Sequence, residues 1–329
     1  MSGGFIEGSR RPLARIGARA ADHLWAIVLA GGVGTRLRPL IRHLYGDDRP
    51  KQYAALVGDR SLLAQTLERV ARLIPPERTA VVTMAQQLPH MEAELPGAPR
   101  RPHLLAQPED RGTAAGILLA AYWIQAQDPE ATVAVFPSDH LVIEEDALMR
   151  HVEAVAQFVE MQVQWTILLG AQPSAPEIEY GWIDPGERAG WTAAGPVYRV
   201  RGFREKPPAE AARILFTAGA LWNTLIVVAR AVALTAAGRE RLPSVDERLR
   251  MAAAFARTRR QDWAIRQAYA LIPAADFSHS MLEAWPQPLG VARLTAVTWC
   301  DLGTPRRVLA TLTSLGRPPA WASTFQAGP

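Results

Sequence analysis

Apolar positions fall along the chain in short unbroken runs that alternate with helical stripes. Leu24–Ala30 is a continuous apolar run closed by Gly31-Gly32, the pattern of a strand buried on both faces. Over 61–73, apolar residues at 62, 63, 67, 70 and 73 are separated by polar ones, which predicts an amphipathic helix capped by Ser61 and ended by Pro75-Pro76. The same reading predicts strands over 79–84, 132–136 and 165–170, with helices over 114–127 and 147–160 between them. That alternation implies a mostly parallel α/β sheet. Beyond Tyr180 the elements shorten. Strands over 198–203 and 224–228 flank a helix over 209–217, as in an antiparallel extension that shapes a pocket. A helical stretch over 231–271 and a last strand over 291–299, running into Cys300-Asp301, complete the pattern.

Composition narrows the class. At 329 residues the chain fits two domains or one large α/β domain. A single cysteine excludes a disulfide framework and a cysteine-based zinc cluster, so a reducing, cytoplasmic compartment is expected. The net charge is only +4, and Arg10, Arg11, Arg15 and Arg19 against Glu7 and Asp22 place part of it at the start of the chain. The remaining body then reads as near neutral, with no later basic stretch interleaved with aromatics, which argues against a nucleic-acid partner. Residues 1–23 lack an apolar core and read as a disordered Arg-rich leader, ahead of one domain over 24–315 and a tail over 316–329. The longest apolar run, 114–124, is well short of the roughly 18 residues that suggest a membrane span, so no membrane partner is expected.

The chemistry concentrates at strand ends. Directly after the first strand comes Gly31-Gly32-Val33-Gly34-Thr35-Arg36-Leu37-Arg38-Pro39-Leu40. Glycines allow backbone N–H groups to surround a phosphate, and guanidinium forks supply charge where a polyphosphate would lie. Neither better-known phosphate loop fits: Leu37 occupies the third-glycine position of the dinucleotide motif, and no Gly-Lys-Ser/Thr follows. Gly112 and Thr113 precede a helical stripe, at a helix N-terminus that favours an anionic or hydrogen-bonding ligand; a simple cap is the plainer reading. The strands ending at Pro137-Ser138-Asp139-His140 and at Trp299-Cys300-Asp301 each put a carboxylate at the carboxyl edge of the sheet. Two such carboxylates suit a hard cation that keeps waters and takes phosphate oxygens. Cys300, at the end of an apolar strand, reads as core packing.

These motifs resemble the sugar-1-phosphate nucleotidyltransferases. The opening loop is similar to their L-A-G-G-x-G-x-R-L-x-P-L signature, and Pro50-Lys51-Gln52-Tyr53 looks most like the P-K-Q-[FY] of the mannose-1-phosphate guanylyltransferases, with 40–50 as a longer loop than usual. Gln107-Pro108-Glu109-Asp110-Arg111-Gly112-Thr113-Ala114 is similar to the family segment that meets the purine edge, while Glu179-Tyr180-Gly181, Phe203-Arg204-Glu205-Lys206-Pro207 and Leu221-Trp222-Asn223 match its sugar-side elements. The resemblance covers most of the chain. It implies a nucleotide-diphospho-sugar transferase-like, Rossmann-like three-layer α/β fold, with a mostly parallel central sheet and a small antiparallel extension. It also implies nucleotidyl transfer from an NTP, GTP, to a sugar 1-phosphate, mannose 1-phosphate. By the same resemblance Arg36, Lys51, Asp139 and Asp301 are catalytic, and Asp139 and Asp301 hold Mg²⁺, with Mn²⁺ as an alternative. Leu29, Ala30, Gly31, Gly32, Gly34, Thr35, Arg36, Lys51, Gln107, Gly112, Thr113, Ala114 and Asp139 bind the nucleotide. Tyr180, Gly181, Glu205, Lys206 and Asn223 bind the sugar phosphate. The partners are the two substrates, and a homo-oligomer stays open.

The chain also departs from the family. Thr224-Leu225 replace small residues after Trp222-Asn223, and Ser278 stands where an aspartate is expected, so sugar identity is the least constrained feature. Another NDP-sugar pyrophosphorylase, a cytidylyltransferase and a non-catalytic nucleotide-sugar-binding regulatory homologue are the alternatives.

Overall fold

Both layers of the core grow from the first apolar run. In the computed structural model, which describes residues 22–95, 100–285, 288–316 and 318–325, that run forms β1 (Leu24–Ala30). The other strands are β2 (Thr79–Met84), β3 (His103–Gln107), β4 (Thr132–Pro137), β5 (Leu141–Val142), β6 (Thr166–Ala171), β7 (Trp182–Thr192), β8 (Gly195–Arg204), β9 (Leu221–Arg230), β10 (Leu289–Arg293) and β11 (Trp299–Cys300). The helices are α1 (Arg38–Tyr45), α2 (Leu62–Ala71), α3 (Leu88–Glu94), α4 (Gly112–Gln127), α5 (Glu145–Met161), α6 (Ala209–Thr217), α7 (Ala231–Arg241), α8 (Pro243–Ala253), α9 (Gln261–Tyr269), α10 (Phe277–Ser280) and α11 (Pro305–Ser314).

Nine strands form one sheet in the order β3-β2-β1-β4-β9-β6-β10-β8-β7. β3, β2, β1 and β4 run parallel, β9 is inserted antiparallel between β4 and β6, and β10 lies parallel to β6. β8 and β7 add the antiparallel extension. Strand alternation divides the core. Trp25 and Ile27 join α4, α7, α8 and α9 on one face, whereas Leu24, Ala26, Val28 and Ala30 join α2 and α5 on the other. α4 is apolar on every side because it is buried between the sheet and α7 and α8. A third cluster, including Leu37, Leu40, Ile41, Leu141, Cys300, Leu302, Val308 and Leu312, packs beneath the glycine loop. Cys300 is a buried member of it, as read from the sequence.

Several expectations need correction. Residues 40–50 are not one long loop: Pro39 stands in the first turn of α1, which ends at Gly46 with φ 72°. The helical stretch 231–271 is three helices. It breaks at Leu242, which leaves the helical region (φ −134°, ψ 57°) before Pro243, and again near Arg257, whose φ is 59°. The strand expected over 291–299 ends at Arg293, and Trp299–Cys300 pairs instead with Leu141–Val142 in a separate two-stranded sheet. β3 and β7 are not foreseen by the apolar pattern. Positive charge does gather late in the chain: between Arg239 and Leu271 eight arginines face four acidic residues, with Met251, Trp263 and Leu271 exposed among them. Of the expected leader, residues 1–21 lie outside the described residues, while His23 hydrogen-bonds Asp128 at 2.9 Å. In the expected tail, Trp321 and Phe325 pack against the third cluster.

Candidate active site

The glycine loop and Lys51 are built as one unit. Gly34 adopts φ 62°, and a Cβ there would lie 2.8 Å from the Cβ of Lys51, so only glycine lets the two segments meet. The Gln52 amide then donates to the carbonyls of Ala30 (2.7 Å) and Gly32 (3.0 Å), tying the Pro50–Lys51 turn to the loop. Lys51 is only 4% exposed. Its ammonium stands 3.1 Å from Asp139 Oδ2 and also donates to the Asp301 carbonyl. Thr35 and Arg36 are exposed at the loop's outer edge, where Arg36 pairs with Glu179.

Beside the loop lies a cavity of about 200 Å³ lined by Leu29, Gly31, Gly32, Gln107, Gly112 and Thr113, together with Val82, Met84, Asp110, Gly116 and Asp276. Six of the expected nucleotide residues thus share one wall system. Ala30, buried, contributes its carbonyl to Gln52 rather than a surface to the cavity. The helix N-terminus expected to offer free donors is already engaged. Gly112 N–H donates to Asp110 (2.8 Å), Ala114 N–H to the Ala275 carbonyl (3.1 Å), and the Thr113 hydroxyl accepts from Phe277 N–H (2.8 Å) while donating to Asp276 (3.1 Å). Gly112 has φ 79°, and a Cβ there would fall 2.3 Å from the Ala275 carbonyl. The plainer reading of Thr113, a structural latch, therefore describes its side chain.

Asp139 follows β4 and Asp301 follows β11. Burial alone would raise the Asp139 carboxyl, but the Lys51 ammonium beside it holds it below its ordinary value. His140 is a buried neighbour whose pKa burial pushes down. Its Nδ1 accepts from the Trp299 indole at 3.3 Å, leaving Nε2 3.6 Å from Asp139 Oδ1. His140 therefore stands at ion-pair distance from Asp139. Asp301 is likewise lowered against burial, with Oδ1 accepting from the Tyr180 hydroxyl (2.8 Å), Gly303 N–H (3.0 Å) and Arg307 (2.8 Å). No hydrogen bond reaches Asp301 Oδ2 among the described residues. Two carboxylates, with Lys51 between the Asp139 side chain and the Asp301 backbone carbonyl, suit a hard cation completed by waters and phosphate oxygens. Among the described residues no group of three or more His, Cys, Asp or Glu forms a metal cage, so a cation here would rest on this pair.

The sugar-side residues gather around Gly181, where a Cβ would lie 2.6 Å from Glu205 Oε2 and 3.2 Å from Asn223 Cβ. The Gly181 carbonyl accepts from Asn223 N–H at 2.8 Å. Tyr180 also meets the carboxylate cluster. Its ring is buried beneath the Arg307 guanidinium, 4.6 Å from the centroid, and its hydroxyl is engaged by Asp301, so it orients that carboxylate. Burial raises the Glu205 carboxyl despite Lys206, whose ammonium is 3.6 Å away. Asn223 donates to Ser278 Oγ at 3.4 Å and accepts from Leu225 N–H at 3.0 Å. Sequence reading missed Arg307, Tyr269, Asp276, Glu283 and Gln52 as supporting residues. Glu283 accepts from Glu205 N–H at 2.9 Å, and Arg307 begins a helix just after the Asp301 turn. Of these, Gln52 stands in the Pro50-Lys51-Gln52-Tyr53 motif, which was the signal that could have found it.

Residues 25–315 match the family model for nucleotidyl transferase. The chain is similar to the xanthan biosynthesis protein XanB of Xanthomonas campestris pv. campestris (strain B100), with 34% identity over 208 residues, 62% of this chain and 42% of XanB. It is similar to the mannose-1-phosphate guanylyltransferase of Escherichia coli K12, with 31% identity over 216 residues, 64% of this chain and 44% of that protein. The chain spans about two fifths of the length of these curated relatives. Among solved structures, one described as a mannose-1-phosphate geranyltransferase from Thermus thermophilus superposes with TM-score 0.73 at 32% identity, covering 89% of this chain and 79% of the other. The inositol-1-phosphate CTP transferase from T. maritima shares the fold at TM-score 0.56 and 14% identity, over 89% of this chain and 94% of its own. With the family model matched over most of its length, the chain belongs to the nucleotidyl transferase family.

Proposed function

We propose that this protein transfers a nucleotidyl group from GTP to mannose 1-phosphate, releasing pyrophosphate and forming GDP-mannose. One observation carries the reading: the glycine loop lines the cavity through Gly31 and Gly32 and, at Gly34, lies against Lys51, which joins Asp139 to Asp301. A nucleoside in the cavity would lead its phosphates along the loop toward that cluster. A sugar-phosphate oxygen forms the new bond to the α-phosphorus as the bond to pyrophosphate breaks in line. Because the nucleophile is already an anion, no general base is needed. Lys51 and Arg36 neutralise charge on the phosphate oxygens. Asp139 and Asp301 would hold Mg²⁺, which supplies further charge neutralisation when bound. Glu205, Lys206 and Asn223 face the sugar phosphate, and Gln107 the base. The E. coli relative, named a mannose-1-phosphate guanylyltransferase, supports the choice of substrates.

Preference for GTP over other NTPs should be sharper than preference for mannose 1-phosphate over glucose 1-phosphate. Hexose epimers differ by one hydroxyl, and one misplaced partner costs about 1–3 kcal/mol. Pyrophosphate release, measured for GTP, ATP, UTP and dTTP against both sugars with Mg²⁺ and with chelator, tests the proposal. Full activity in chelator removes the metal. Strict hexose selectivity with indifferent NTP use overturns the substrate ranking, and nucleotide-sugar binding without turnover replaces the enzyme with a regulatory homologue.

A further inference from the structure

Gln107 ends β3 as a buried side chain in the wall of the nucleotide-side cavity. Its amide has two different ends, an acceptor oxygen and a donor NH₂, and which end faces a ligand decides what it recognises. Tyr269, the last residue of α9, does not line that cavity and is fully buried. Its hydroxyl donates to Gln107 Oε1 at 2.9 Å. Gln107 Oε1 is turned toward α4, 3.2 Å from where a Cβ on Gly116 would lie. Nε2 is turned toward the glycine loop, 2.9 Å from where a Cβ on Gly31 would lie, with the soft Met84 sulfur at 3.8 Å as its one partner among the described residues. The acceptor end is thus engaged and the donor end is directed to the cavity.

We infer that Tyr269 is a positioning residue for base selection: by holding Gln107 Oε1 it makes Gln107 offer donors and no acceptor to the bound base. This rests on the nucleotide occupying the cavity as proposed above. A base with a carbonyl at the recognised edge, as in guanine O6 or the O4 of uracil and thymine, complements that amide. Adenine and cytosine place an exocyclic NH₂ at the equivalent position, so two donors would oppose each other. A free glutamine could turn its amide over to accept from adenine; the Tyr269 hydroxyl, donating to Oε1, favours the orientation in which Nε2 faces the cavity. Tyr269→Phe keeps the ring and removes only the hydroxyl, so the amide becomes free to turn.

The experiment measures GTP and ATP affinity calorimetrically, and kcat/KM for both with mannose 1-phosphate, in the wild type, Tyr269→Phe and Gln107→Glu. Tyr269→Phe is expected to lower the GTP:ATP preference about tenfold through a raised GTP KM and a lowered ATP KM, with kcat and the sugar-phosphate KM little changed. Gln107→Glu, which presents only acceptors, is expected to move the preference further toward ATP. An unchanged GTP:ATP ratio in Tyr269→Phe, or an equal loss of both nucleotides together with a lowered melting temperature, overturns the inference. So does a Gln107→Glu protein that keeps the wild-type preference. A wild type that discriminates GTP from ATP in binding but turns over neither overturns the proposed reaction while the binding ratios still decide the role of Tyr269. A wild type that binds neither nucleotide overturns both.

Discussion

On the nucleotide side, Gln107 meets Tyr269 at 2.9 Å, Thr113 meets Phe277 N–H and Asp276 at 2.8 and 3.1 Å, and Gln52 holds two loop carbonyls at 2.7 and 3.0 Å. On the sugar side, Lys206 stands 3.6 Å from Glu205 and is largely exposed, while Asn223 reaches Ser278 only at 3.4 Å. Lys206 and Leu225 also carry positive φ values of 44° and 58° without being glycine. One half is organised before a ligand arrives. The other leaves the Lys206 ammonium and the Asn223 amide NH₂ loosely paired, and a ligand must order them. Preorganised donors discriminate strongly because a mismatched ligand leaves them unsatisfied, whereas loosely paired groups adapt. This contrast gives a structural reason to expect sharper choice of base than of hexose.

The largest expected effect comes from the cluster that both halves share. Asp139→Asn should lower turnover on the order of 10²–10³-fold for either substrate, because it removes the carboxylate that pairs with Lys51. Initial rates with each substrate varied in turn check this, and a loss confined to one substrate would assign Asp139 to one half only. Next, Gly112→Ala should destabilise the protein by roughly 1–3 kcal/mol, since it strains a positive φ and collides with the Ala275 carbonyl. Thermal melting and the two KM values read it out: the NTP KM should rise while the sugar-phosphate KM holds. Ser278→Ala probes the looser half. Losing a 3.4 Å hydrogen bond should cost at most about 1 kcal/mol and shift only the sugar-phosphate KM, so a comparable rise in the NTP KM would erase the contrast.

The smallest effect separates the scaffold from the site. His103 and His151 lie outside the candidate site, and burial pushes both imidazoles below their ordinary 6.5. The unfolded chain therefore takes up a proton before the folded one does. Stability from the neutral rings is full above about pH 6.5 and is lost as pH falls through the lowered folded values. The melting temperature should drop by a few °C between about pH 7.5 and about pH 5.5, and His103→Gln with His151→Gln should flatten that slope. An unchanged slope in the double variant would assign the acid sensitivity to other groups.

Where a feature depends on neighbours in sequence, reading the chain alone found it. The apolar run of β1, the glycine loop, the strand-end position of Asp139 and the Ser61 cap of α2 are all local. Features set by distant partners stayed hidden. Tyr269 and Gln107 are 162 positions apart, and Thr113 and Asp276 are 163 apart, so no periodicity or motif joins them. The motif around Tyr180 points it to the sugar, yet its hydroxyl meets Asp301, 121 positions away. The strand over 291–299 failed for a related reason. Its apolar pattern continues through residues that leave one sheet, turn at Ala296 with φ 54°, and enter another.

That second sheet is only two residue pairs long, Trp299 against Val142 and Cys300 against Leu141, with Ile143 N–H donating to the Thr298 carbonyl at its margin. Asp139 lies two residues before one of its strands and Asp301 one residue after the other. The ladder acts as a caliper: β4 of the main sheet delivers Asp139, and a short stretch of backbone hydrogen bonds then fixes where Asp301 stands relative to it. A slip of one residue in this small ladder would turn Asp301 to the opposite face and separate the pair.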